Sequence, residues 1–126
     1  MNSDEDRDRV AARQAERFQR VREAHQTEMA EDYVELIADL IDEMGEARLV
    51  DLAQRLGVSK PTVSNALSRL QRDGLVKSER YRSIFLTPKG RELAARSRER
   101  HITVREFLMA LGVDAETADA DAEGIE

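Results

Sequence analysis

A mainly α-helical fold is predicted by three features of the sequence. Residues 49–70 read as two short amphipathic helices joined by a glycine turn, a β-hairpin pattern follows directly, and a longer helical pattern lies on either side. In that order they form a winged helix-turn-helix. Leu49, Leu52, Ala53 and Leu56 share one face of the first short helix, and Val63, Ala66, Leu67 and Leu70 share one face of the second. Ala53 is small where the two helices cross. Gly57 can take the left-handed conformation that turns the chain. Ser59 is placed as the N-cap of the second helix, with Pro61 in its first turn.

Before this pair, the spacing predicts a helix from about Glu28 to Met44. Tyr33, Leu36, Ile37, Leu40, Ile41 and Met44 form its apolar face, and Gly45 ends it. Glu28, Asp32, Glu35, Asp39 and Asp42 form an acidic stripe that, taken alone, is a solvated face. Residues 1–26 make a charged N-terminal arm, frayed or helical, whose large apolar side chains include Phe18 and Val21. Pairs such as Glu16 and Arg20 at i,i+4 favour helix. The arm's arginines are of the right type to touch phosphates, but its composition reads first as a solvated tail, and His25 is given no role.

After the second short helix, Asp73-Gly74 opens a hairpin with strands at residues 75–78 and 83–86 and a tip at 79–82. Thr87-Pro88 starts a helix that runs to about Leu111, with Leu93, Val104, Phe107, Leu108 and Leu111 on its apolar side. Gly112 stops it. Asp114 caps a last helix containing Glu116, Asp119, Asp121, Glu123 and Glu126. The organisation is therefore an arm at 1–26, a winged helix-turn-helix domain at 27–95, and C-terminal helices at 96–126.

The 126 residues fit one compact domain with an extension at either end, and 40% hydrophobic residues suffice for a core. The absence of cysteine excludes disulfides, thiol catalysis and cysteine-ligated zinc or iron–sulfur sites. No apolar run approaches the ~20 residues of a membrane span and no secretory signal opens the chain, so a cytoplasmic location is expected. The net charge of −6 looks wrong for a DNA-binding protein until it is divided. Residues 1–45 carry −7, residues 46–100 carry +7 and residues 101–126 carry −6. A basic middle thus sits between acidic flanks.

That middle segment has the chemistry of duplex recognition. The major groove admits one helix and presents a distinct donor and acceptor pattern for each base pair. Ser59, Lys60, Pro61, Thr62 and Ser64 lie at the N-terminal end of the second short helix, where such helices meet base edges. Asn65 suits adenine, and Thr62 suits a thymine methyl. Lys60, Arg69, Arg80 and Arg82 suit phosphates, and Tyr81 shares the hairpin tip with the last two. The competing reading is a winged helix that binds another protein. Single-strand binding needs aromatic platforms, and only 4% of residues are aromatic. There is no nucleophile–base pair, Gly-rich phosphate loop or His-rich metal motif, so neither an enzyme nor a small-molecule substrate is expected.

Asp32-Tyr33-Val34-Glu35, the winged helix, Arg98-Glu99-Arg100-His101 and Asp121-Ala122-Glu123-Gly124-Ile125-Glu126 together resemble the manganese-responsive regulators of the diphtheria-toxin-repressor family. The similarity runs from about Val21 to the last residue. It implies a homodimeric, metal-activated repressor on palindromic operators near metal-transport genes, with the C-terminal helices opening a metal-binding and dimerisation domain. Carried over by position, Asp32, Glu35, His101, Glu123 and Glu126 are the implied metal ligands, with Glu123 placed to bridge two ions. Both carboxylate pairs are i,i+3, so each projects from one helical face. Four carboxylates and one imidazole form a mostly hard set suited to Mn²⁺. Iron-responsive relatives use a cysteine and a methionine where this chain has Glu126 and Asp32, so manganese is favoured and Fe²⁺ stays open as a second activator. The family also has a histidine ligand immediately after the position of Glu126, and further helices that complete dimerisation. This sequence ends before both, which implies a truncated form or a weakened site. Without the resemblance, His101 reads as a core-edge histidine and the protein as a metal-independent regulator.

Overall fold

Helix α1 runs unbroken from Ser3 to Met44, so the polar arm and the apolar-faced helix after it are one element. The computed structural model describes residues 3–78 and 83–125, with side chains as far as residue 122. Of the two forms open to the arm, it takes the helical one. Its 42 residues extend ~63 Å at 1.5 Å per residue. Residues 3–44 hold neither glycine nor proline, and Asp4, Glu5 and Asp6 in the first turn suit the positive end of the helix dipole. Arg9 pairs with Asp6 at 2.6 Å, and the Gln19 amide donates to Glu23 at 3.2 Å, both along the helix surface. Gly45, at φ +80°, ends it.

Four further helices and one hairpin follow: α2 (Leu49–Leu56), α3 (Lys60–Arg72), β1 (Val76–Ser78), β2 (Ile84–Leu86), α4 (Pro88–Ala110) and α5 (Ala115–Ile125). Gly57 takes the left-handed conformation at φ 68°, as the turn between α2 and α3 requires. Ser59 caps α3 by accepting from the Thr62 amide at 3.3 Å. The strands pair antiparallel with Lys77 opposite Phe85, and the Ile84 amide donates to the Ala47 carbonyl at 2.8 Å. Leu75 and Ser83 fall outside the strands. The Leu75 amide instead closes the end of α3 on Leu70, while its carbonyl accepts from Thr87.

One core unites Val34, Ile37 and Leu40 of α1 with Leu52 of α2, Val63 and Leu67 of α3, Ile84 of β2 and Ala94 of α4. Met44, expected inside, is 50% exposed because it sits on the last turn before Gly45, and Val34 takes a core position that was not expected. On α4 the correction is larger. Phe107 and Leu111 are 62% and 66% exposed, whereas Gly90, Ala94 and Ser97 are buried. Small residues at this spacing allow α4 a close approach along its N-terminal half. Thr87 caps α4 through the Gly90 amide at 3.0 Å, and a Cβ on Gly90 would stand 2.0 Å from the Leu75 carbonyl oxygen. Helix α4 packs along α1, where Glu31, Glu35 and Asp39 meet Arg100, Ser97 and Arg98 respectively. Helix α5 then folds back onto α4 and buries Ala118 and Ala122.

Candidate nucleic-acid interface and metal centre

Helix α3 buries Val63, Leu67 and Leu70, which turns its polar residues outward. Lys60, Pro61, Thr62, Ser64, Asn65 and Arg69 are all exposed, as is the capping residue Ser59. They do not form one face. Lys60 and Ser64 line a groove of about 1120 Å³ between α3 and the hairpin, together with Ser68, Gln71, Arg48 and Lys77. Pro61, Thr62, Asn65 and Arg69 stand further round the helix, at 100° per residue. The hydroxyls of Ser59 and Thr62 are 2.8 Å apart, so these two polar groups are also partners in the cap. Ser68 bonds back to the Ser64 carbonyl at 3.1 Å. Gln71 ties α3 to the hairpin through the Ser78 carbonyl at 3.0 Å, fixing the angle between helix and wing. Arg80, Tyr81 and Arg82, expected at the wing tip, lie outside the described residues.

Arg48 and Lys77 were missed from sequence, and each had a signal. Lys77 sits between inward-facing Val76 and half-buried Ser78 in β1, so period-two alternation turns it out beside Phe85. Arg48 immediately precedes α2 and pairs with Glu46 at 3.0 Å on the same side as the groove.

The other candidate site begins on the acidic stripe of α1. Arginines of α4 pair with it and beside it: Arg98 reaches Asp39 and, at 3.9 Å, Asp42, and Arg100 pairs at 2.5 Å with Glu31, a buried acid outside the stripe. Between Glu31 and Asp39, Glu35 accepts a hydrogen bond of 2.9 Å from the buried Ser97 hydroxyl, and Asp32 lies one turn earlier and is exposed. Ser97 and His101 are i,i+4 on α4, so the imidazole follows one turn along the face that holds Glu35. His101 is half-buried, and its Nε2 lies 3.7 Å from Asp119 of α5, whose carboxylate also takes Arg105 at 2.6 Å. Asp119 reads from sequence only as one acid among several on the last helix. Ala122 of α5 packs inward, one residue before Glu123. The Glu123 side chain and Glu126 lie outside the described residues. Among the described residues no three His, Asp or Glu side chains gather closely enough to hold a metal ion. The described part brings the His101 imidazole to the Asp119 carboxylate and places Glu35 on the neighbouring α1 surface, residue types suited to a hard or borderline divalent cation.

An exposed polar helix α3 that follows a glycine turn and lies beside a β-hairpin is the arrangement of a winged-helix DNA-binding domain. The iron dependent repressor N-terminal DNA-binding domain matches residues 25–84, and the metal binding and dimerisation domain of the same repressors matches residues 87–126. The chain belongs to the iron-dependent repressor family of transcriptional regulators, which is not an enzyme class. The transcriptional regulator MntR of Salmonella typhimurium is 57% identical over 111 residues, covering 88% of this chain and 71% of that protein. The MntR regulator of Bacillus pumilus is 41% identical over 100 residues, covering 79% and 69%. A manganese-dependent transcriptional repressor solved with manganese superposes with a TM-score of 0.68 at 30% identity, over 76% of this chain and 44% of that one. The manganese regulator SloR gives 0.66 at 29% identity, over 76% and 45%. The chain therefore spans less than half the length of these two solved chains. No described helix is long and apolar enough to cross a membrane.

Proposed function

We propose that the chain acts as a Mn²⁺-activated repressor that binds palindromic operator DNA of metal-transport genes as a homodimer in the cytoplasm, without catalysing a reaction. The observation that carries this reading is the Glu35–Ser97 hydrogen bond, which puts an α1 carboxylate one helical turn from His101 on α4. The similarity to manganese regulators supports the choice of metal. Residues 27–95 form the reading head and residues 96–126 the switching layer. Asp32, Glu35 and His101, completed by Glu123 and Glu126, hold the metal. Bound Mn²⁺ supplies the positive charge that lets carboxylates of α1 and α5 converge. Glu35 and His101 fix α1 against α4, and Ala118 and Ala122 let α5 close down on α4. In a dimer this sets the spacing of two recognition helices to one face of the duplex.

On the DNA, Asn65 pairs with adenine and the Thr62 methyl meets a thymine methyl, with Ser59, Pro61 and Ser64 against the groove. Lys60, Arg69, Arg80 and Arg82 hold phosphates, and Tyr81 packs at the edge of the minor groove. The exposed Phe107 and Leu111 of α4, one turn apart, belong to the surface that takes the second copy.

Metal shifts the equilibrium only by its preference for the DNA-competent arrangement. Operator affinity is therefore expected to rise by about 5- to 150-fold with Mn²⁺ over chelator, the usual range of coupling between sites. His101→Ala should abolish that rise while leaving salt-dependent duplex binding in place. A titration comparing Mn²⁺, Fe²⁺ and Zn²⁺ at fixed salt checks this. Equal affinity with Mn²⁺ and with chelator would remove the switch.

A further inference from the structure

The N-terminal arm is a surface that neither the core nor the candidate metal centre uses. Every residue from 7 to 28 is exposed, and the unbroken helix carries this segment outward from the body. Its charge is not evenly spread. Between Arg9 and Arg22 there are five arginines and a single acid, Glu16. At 100° per residue, Arg9, Arg13, Arg17 and Arg20 fall within a sector of roughly 80° and form a stripe ~16 Å long. Arg9 is paired with Asp6, whereas no ion pair among the described residues engages Arg13, Arg17 or Arg20.

We infer that this stripe is a second phosphate-binding element, which lies along the DNA backbone beside the segment read by α3. The inference rests on the duplex-binding reading above and extends it to a part of the chain outside the winged helix. A stripe of ~16 Å spans about five phosphates of one strand at 3.4 Å each. Guanidinium groups suit phosphate oxygens better than ammonium groups do, because their paired N–H donors match the oxygens in a fixed fork. Once α3 is seated, the arm meets the same duplex at high effective concentration, so interactions too weak to act alone add to affinity.

Two other partners fit less well. A second copy pairing arm to arm needs a continuous apolar seam, but the sector beside the arginines runs Val10, Gln14, Phe18, Val21, His25 and Glu28. Only three of those six side chains are large and apolar. An anionic membrane surface calls for a broad apolar face opposite the cations, and three exposed apolar residues in one sector do not supply it.

The test is the triple variant Arg13→Gln, Arg17→Gln and Arg20→Gln in the full chain, with glutamine chosen because it keeps helix propensity. Fluorescence anisotropy with Mn²⁺ would follow binding to an operator duplex carrying 15-bp flanks, across a series of salt concentrations. We expect affinity to fall at least 10-fold near 0.1 M salt. The slope of log K against log salt should become shallower by about 0.9 for each phosphate no longer neutralised. The ratio of operator to scrambled-duplex affinity should not change, since binding to phosphates carries no sequence information. The triple Arg→Lys variant should recover most of the slope. An unchanged slope and affinity overturns the arm's role. So does an unchanged slope accompanied by altered sedimentation or by abolished binding to phosphatidylglycerol vesicles, which would reassign the stripe to a second copy or to lipid. Failure of the underlying reading looks different: the unmodified chain itself would show no salt-dependent duplex binding.

Discussion

The winged-helix body and the C-terminal layer of α4 and α5 are held by different forces. The body is built on large side chains taken fully out of water, with Val34, Ile37, Leu40, Leu52 and Val63 at 0% exposure. Each such burial contributes about 1.5–3 kcal/mol, so this region is set by its own core. The layer behind it buries alanines and a serine, and leaves Ile102, Phe107, Met109 and Leu111 in water. Its ties are ion pairs and single hydrogen bonds: Glu31 with Arg100, Glu35 with Ser97, Asp119 with Arg105. Shallow packing of that kind makes an element whose position a ligand can bias, while the reading head stays rigid. The fold thus divides the work, with stability in one region and adjustability in the other.

The sharpest way to break the division is at the seam. Gly90→Ala puts a methyl group 2.0 Å from the Leu75 carbonyl oxygen, which is backbone and cannot rotate away. Helix propensity alone predicts stabilisation of up to about 1 kcal/mol from this change. The clash should win, because overpacking that shifts backbone costs about 1–3 kcal/mol and a contact this short lies at the upper end. Differential scanning calorimetry should show a melting temperature lower by on the order of 10 °C. An unchanged or raised midpoint would mean that α4 does not dock as closely as described.

A smaller effect separates the two regions more finely. Arg100→Ala leaves the Glu31 carboxylate buried without its ion-pair partner, at a cost of about 1–3 kcal/mol. Glu31→Gln in the same background should recover part of that loss by removing the buried charge. Because the pair joins α1 to α4 outside the winged-helix core, amide exchange should accelerate along α4 and α5 more than in α2 or α3. Uniform acceleration would show that body and layer unfold as one unit.

How far the sequence revealed this arrangement depended on which force built each part. The helix-turn-helix was legible because Leu52, Val63, Leu67 and Leu70 are apolar, periodic and punctuated by Gly57, Ser59 and Asp73-Gly74. The same rule misled on α4. Periodicity reports where apolar residues lie, not whether a partner covers them, so Phe107 and Leu111 read as core although both face solvent. The true packing stripe of Gly90, Ala94 and Ser97 has almost no hydrophobic signal. Burial of Glu31 and the continuity of α1 were hidden for a related reason, since an acid beside its arginine and a helix with no buried face both look like polar surface. For the candidate metal site, the carboxylate and imidazole positions came from resemblance. Spacing established only that Asp32 and Glu35 share one face and that Glu123 and Glu126 share another.

The smallest expected effect tests whether the layer has any stability of its own. Asp114 caps α5 by accepting from the Thr117 amide at 2.9 Å and the Thr117 hydroxyl at 2.8 Å. The amide bond first, and the hydroxyl second, hold its carboxyl below the usual carboxylate range. The sign follows from linkage. The charged form is favoured in the folded state, so the cap's contribution is full above the ordinary carboxylate pKa of about 4 and is lost as pH falls through the lowered folded value. Protection factors of the α5 amides, corrected for the intrinsic pH dependence of exchange, should therefore fall on acidification below about pH 4, before those of α2 and α3 respond. Asp114→Asn should flatten that local dependence while keeping part of the cap, because the amide oxygen still accepts. If α5 exchange instead followed the α2 and α3 amides at every pH, acid would be acting on the whole fold, and α5 would have no separate equilibrium for a metal to shift.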